Sequence, residues 1–205
     1  MHRENLKRWL FLLALLPAFR LVFLGVNDDL GANPVEFIIH SLGTWALTFL
    51  LMTLAITPLR KLTGANWLVQ LRRMLGLYAF FYATLHMLAY VGLDQWFDWQ
   101  AIARDIVKHP FILAGFSAFV LLIPLAVTST NAMMKRLKKN WQKLHTLVYP
   151  IAVLGVLHYF WLVKKDVTQP LIYAAVLTVL LGLRIRWKLR HQASGPGSTA
   201  APKQA

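Results

Sequence analysis

The sequence predicts an all-α integral membrane protein: a bundle of six transmembrane helices with both termini in the cytoplasm. Three observations predict it. Only 15% of the 205 residues are charged while 58% are hydrophobic, against ~25% charged in a soluble domain. The uncharged stretches approach or exceed the ~20 residues that a helix needs to cross hydrocarbon. The cations, which give a formal net charge of +14, gather on alternate connections, as they do in cytoplasmic loops.

The first span is expected over 9–27, behind the basic start Arg3, Lys7 and Arg8, and only Arg20 interrupts it. A basic start before an apolar run also suits a signal peptide. Pro17-Ala18-Phe19-Arg20 supplies no small-x-small cleavage site, however, and the apolar run resumes. The reading is therefore an uncleaved helix. Further spans are expected over 37–58, 74–92, 110–128 and 144–163. The last uncharged run, Val167 to Leu183, is short, and snorkelling of Arg184 and Arg186 extends it to a span over 168–186. In lipid each run must be helical, because every backbone polar group needs an internal partner. Residues 1–190 read as one transmembrane domain with no internal repeat, and 191–205, rich in Gly, Pro, Ser and Ala, as a disordered cytoplasmic tail.

With the N-terminus inside, Arg104, Lys108, Lys164 and Lys165 are the only cations of the 22 on the outside, and Arg20 lies within a span. The acids sort the other way: of the eight, only Glu4 is inside. This places the chain as a multi-pass membrane protein with both ends in the cytoplasm. It argues against nucleic acid as a partner, since the cations do not share one soluble face with stacking aromatics. Lys135 to Lys143 suit an anionic donor or acidic membrane lipid, although positive-inside topology alone accounts for them. The tryptophans near span ends, Trp96 and Trp99 among them, read as interfacial belts.

There is no cysteine, which excludes disulfides, thiolate-held zinc or iron–sulfur clusters and covalently attached c-type heme. Histidine is the residue to follow. His2 and His191 lie in the cytoplasmic ends, His109 faces headgroups, and His40 reads as interfacial. His86 and His158 differ: they lie well inside the third and fifth spans, which run in the same direction, at matching depth in the outer half. Ionisable residues in a membrane are costly and mark functional sites. Two facing imidazoles can hold a heme iron from both sides, leaving no open position. On spacing alone this stands level with a pair of core histidines satisfied by backbone or hydroxyls. A proton relay lacks carboxylates within the spans, and a zinc site needs more ligands. His145 lies about 20 Å of helix below His158, near the inner end. Its ring is not expected on the same face unless Pro150 rotates the segment. Arg72 and Arg73 occupy the corresponding inner level of span three and suit an anionic cofactor. Arg20 can snorkel or pair with a heme propionate. Gly76 and Gly155 permit close approach of a flat ring, or ordinary helix packing.

Arg72-Arg73-Met74-Leu75-Gly76-Leu77, followed by Leu85-His86, resembles the third helix of ferric-reductase-like transmembrane proteins. The run from Thr128-Ser129 through Arg136-Leu137 and Trp141 to Leu144-His145-Thr146-Leu147-Val148-Tyr149 and His158 resembles their fourth-to-fifth-helix segment. The resemblance extends to Arg190. It implies an inner-membrane electron carrier with heme b, and FMN for the smaller members. It also implies electrons drawn from the quinone pool or a cytosolic flavin reductase and passed to a periplasmic molybdopterin enzyme that reduces methionine sulfoxide in oxidised proteins. By the motif, His86 and His158 match the outer ligand pair, and His145 matches one inner ligand. Where relatives place the other inner histidine this chain has Arg72 or Arg73. The chain shows no Gly-x-Gly-x-x-Gly fingerprint, so its donor is expected to be a separate molecule. The alternatives are a stand-alone ferric-reductase-like cytochrome and a heme-free transporter with a His-lined path.

Overall fold

The computed structural model describes residues 3–163 and 166–193, and among them there are helices, turns and loops but no strand. Six segments are long and apolar enough to span a bilayer: Asn5–Val26, Pro34–Thr63, Asn66–Asp94, Pro110–Val127, Lys139–Leu162 and Thr168–Arg190. The expected six-helix bundle is thus present.

Helix α1 (Arg3–Val26) carries Pro17 in its interior. Proline removes a helical N–H and disturbs the turn before it, and here two tyrosines from a later helix grip that turn. The Tyr82 hydroxyl donates to Ala14 O at 2.7 Å and accepts from Ala18 N at 3.2 Å. Tyr78 donates to Phe11 O at 2.9 Å. Most other faces of α1, such as Leu12, Leu16, Phe19 and Phe23, are exposed, as suits lipid contact. Helix α2 (Pro34–Thr63) starts with Asn33 as its cap and Pro34 at the first position, where the missing N–H costs nothing. It stops at Gly64, whose φ of 71° closes the end onto Arg60 O.

Helix α3 (Val69–Ala89) follows a 3-10 turn and passes at Tyr90–Asp94 into a π turn. Such turns recur at functional sites; this one begins one turn beyond His86. Helix α4 (Trp99–Lys108) is short and is capped by Asp98. It marks what is here called the outer end. Helix α5 (Pro110–Val127) returns to the inner end, where α6 (Asn131–Leu137) and α7 (Lys139–His145) lie. The fifth span is broken: α8 (Val148–Leu162) begins after a turn at Thr146–Leu147. Pro150 sits in the first turn of α8, where it is tolerated, so the reorientation expected at Pro150 occurs just before it. Helix α9 (Thr168–Ala193) closes the bundle.

Helix α2 packs along α3, and α5 along α8. These two hairpins face each other. Phe49 of α2 clusters with Tyr78 (5.5 Å) and Tyr82 (5.3 Å) of α3, and Tyr82 is wholly buried. Helix α9 is tied to the rest by polar bonds at two depths. Tyr173 shares a 2.7 Å hydrogen bond with Thr48, and Arg184 donates to Leu54 O and Tyr149 Oη. The expected tail lies outside the described residues from 194 onward, while 191–193 continue α9. His2, Lys164, Lys165 and Lys203 also lie outside them.

Candidate functional site: a histidine-lined cavity between two hairpins

Between the hairpins lies a cavity of about 740 Å³. Its walls are largely apolar, with Leu47, Leu50, Ala79, Leu122 and Ile151 in its depth, and His86 and His158 both line it. Their ring centroids stand 6.0 Å apart with planes at 78°. His86 Nδ1 bonds Ile39 O at 2.9 Å, and His158 Nδ1 bonds Phe111 O at 2.7 Å. A carbonyl oxygen can only accept, so the proton of each ring is on Nδ1 and the lone pair is on Nε2. The backbone therefore satisfies one nitrogen of each ring and prepares the other as a ligand. That is the usual outer-shell arrangement of a metal-bound histidine. Two metal–imidazole bonds of about 2 Å, with about 1 Å from each Nε2 to its ring centre, require centroids about 6 Å apart. The rings already stand at that spacing.

Both carbonyls come from the partner helix of the hairpin, 47 residues before the histidine in each case. One turn further on, each of those helices has a glycine. A Cβ on Gly43 would stand 3.0 Å from His86 Nδ1 and Cε1, and one on Gly115 would stand 2.7 Å from His158 Nδ1. Each ring thus lies in a glycine notch against the opposing backbone. The structure contains a repeated hairpin device that the sequence reading, which expected no internal repeat, did not detect.

The other expected residues are distributed as follows. His40 is exposed yet lines the outer mouth of the cavity, as does His109, 3.8 Å from Asp105. Arg20 is exposed on α1 and does not line the cavity. Gly155 lines it, whereas Gly76 faces Thr53 and serves helix packing. His145 does not line it. Its Nε2 meets Thr128 Oγ1 at 3.1 Å, and Trp141 stacks on its ring at 4.0 Å. The Thr128 hydroxyl donates to Pro124 O at 2.6 Å, so it accepts from His145, and the lone pair of that ring is on Nδ1. Arg72 is half-buried beside Arg184, Tyr149 and His145. Arg73 is exposed and donates to Asn131 Oδ1 at 2.7 Å. Among the described residues no group of three or more His, Cys, Asp or Glu is placed to share a metal ion.

A family profile described as "Ferric reductase like transmembrane component" matches residues 42–156, a stretch that contains His86, His145, Arg72 and both notch glycines. The chain belongs to the ferric-reductase-like transmembrane family. Within this family it is 57% identical, over 89% of its length and 85% of the relative's, to a Herminiimonas arsenicoxydans protein. That protein is named protein-methionine-sulfoxide reductase heme-binding subunit MsrQ. Proteins of the same name from Ralstonia nicotianae (56% identical, 90% and 87% covered) and Xanthomonas euvesicatoria (57% identical, 82% and 76% covered) are also similar. No solved structure matches the chain. In this ferric-reductase-like chain the residues that sequence reasoning missed are Gly43, Gly115 and the carbonyls of Ile39 and Phe111. One signal for them exists in the sequence: the two glycines precede the two membrane-depth histidines by equal separations.

Proposed function

We propose that this protein is the transmembrane electron-transfer subunit of a methionine sulfoxide reductase system, carrying electrons through heme b held by His86 and His158. The observation that supports it most is the pair of imidazoles 6.0 Å apart, each with its Nδ1 held by a backbone carbonyl so that Nε2 carries the lone pair, in a largely apolar cavity of about 740 Å³. Relatives that share more than half of its residues bear the name of heme-binding subunit. Bound there, heme b would supply one-electron redox chemistry with no open coordination position. The chain's own residues do the rest. Ile39 O and Phe111 O fix the tautomers and raise the basicity of the ligand nitrogens. Gly43 and Gly115 let the rings stand close to the opposing helices. The apolar walls exclude water, which favours electron transfer over reaction with small molecules.

The sidedness follows the cation bias: both ends in the cytoplasm of a bacterial inner membrane, and the cavity mouth facing the periplasm. There the acceptor would be the molybdopterin methionine sulfoxide reductase (MsrP) that repairs oxidised proteins. On the inner side, quinol or a cytosolic flavin reductase would donate. Arg72, with Arg184 beside it, suits the phosphate of FMN, and this is where we place that cofactor, with Arg73 at the rim. Among the described residues His145 is the imidazole placed beside Arg72, and it is the inner ligand candidate, through Nδ1. In membranes bearing the chain, quinol or a flavin reductase with nicotinamide should reduce the heme. Adding the molybdopterin enzyme with methionine sulfoxide should then reoxidise it. Heme that stays reduced in the presence of an active partner and substrate would contradict the proposal.

A further inference from the structure

Among the described residues, no Lys or Arg lines the outer mouth of the cavity; its acidic and imidazole side chains are Glu36, His40, Asp94, Asp105 and His109. The deep end is apolar. A flat ligand that carries carboxylates must keep them at the mouth, because an unpaired carboxylate in hydrocarbon is heavily penalised. At the mouth it meets three carboxylates; the Asn33 amide and the Tyr90 and Tyr159 hydroxyls already donate to Glu36, Asp105 and Gln169, which leaves the two imidazoles and the Trp99 indole among the lining donors. His109 is already beside Asp105, whose other oxygen accepts from Tyr90 at 3.2 Å. The His40 side chain makes no hydrogen bond or ion pair among the described residues. It follows Ile39, the residue whose carbonyl holds His86, and it is an electrostatic neighbour of both His86 and His158.

We propose that His40 is a positioning residue for the heme, donating a ring N–H to a propionate at the mouth of the cavity. Propionate pairing was the second of two uses open to Arg20, which is exposed on α1 away from the cavity; the proposal for His40 rests on the heme reading above. A donor there stabilises the carboxylate edge, slows heme loss and favours the reduced heme, which carries the additional electron.

The test is a redox titration and a heme-loss measurement, to a heme-scavenging protein, on the purified full chain. His40→Ala should keep the low-spin bands, since the axial ligands are untouched. Its midpoint potential should fall, and heme loss should quicken by about two- to fivefold, the scale of a partly exposed ion pair. His40→Arg should restore both. If His40→Ala retains no heme at all, recovery in His40→Arg supports the proposal and its absence overturns it. Unchanged potential and loss rate in a red His40→Ala protein also overturn it while leaving the heme reading intact. A colourless wild-type protein overturns the heme reading itself.

Discussion

Replacing Gly115 by Ala tests the notch that positions His158. The added Cβ would stand 2.7, 2.9 and 3.0 Å from Nδ1, Cε1 and Cγ of that ring, where carbon contacts ordinarily settle at about 3.5–4.0 Å. The imidazole must retreat by roughly 0.7–1 Å on that basis, which pulls Nδ1 off Phe111 O. Loss of the bond costs about 0.5–1.5 kcal/mol, and overpacking adds about 1–3 kcal/mol. The sum is about 1.5–4.5 kcal/mol, or on the order of 10- to 1,600-fold in heme affinity at 1.4 kcal/mol per decade. Gly43→Ala is milder, because its nearest ring atoms lie at 3.0 Å and need shift less. Gly182→Ala is the control, with nothing within 4 Å of its Cβ. Heme per protein, by the pyridine hemochrome assay on purified variants, should rank Gly182→Ala equal to wild type, Gly43→Ala lower and Gly115→Ala lowest. A Gly115→Ala protein with full heme and unchanged bands would refute the notch argument.

Three further outcomes are expected. Tyr82→Phe removes the hydroxyl that bridges Ala14 O and Ala18 N and should lower stability by about 1–3 kcal/mol, read as reduced thermal stability in detergent with the heme bands unchanged. His145→Ala should leave the spectrum of the His86–His158 centre as it is, because His145 lies outside the cavity; loss of those bands would show that the two levels are not separate. Because the chain has no cysteine, single cysteines report sidedness cleanly. In intact spheroplasts Asp29→Cys should react with an impermeant maleimide and Lys135→Cys should not, and the reverse pattern would invert the topology.

The spans and the depth of the histidines were legible because both are local properties of the chain. A long uncharged run and an ionisable residue within it are visible without knowing any neighbour. What was hidden depends on neighbours far away in sequence. Gly43 and Gly115 look like ordinary small residues until the opposing hairpin helix brings a ring against each. Arg72 and Arg73 are adjacent, but consecutive residues point about 100° apart on a helix, so one turns toward Arg184 and the other to Asn131. Of the two readings open for Gly76, close approach of a flat ring or helix packing, its place against Thr53 fits the second. His40 was assigned to the interface; its exposure fits that reading, and its place at the cavity mouth adds to it. The break at Thr146–Leu147 was sought at Pro150, and the two are close because proline fits the first turn of a new helix better than the interior of an old one.

The central claim is that His86 and His158 together hold one heme iron. The most direct measurement is the reduced-minus-oxidised spectrum and heme content of wild type, His86→Ala and His158→Ala, purified with folding verified by circular dichroism and gel filtration. The wild-type protein should be red with low-spin bis-imidazole bands, and each folded variant should lose those bands. A folded His86→Ala or His158→Ala protein that keeps the wild-type bands and heme content would contradict a heme iron shared by the two histidines.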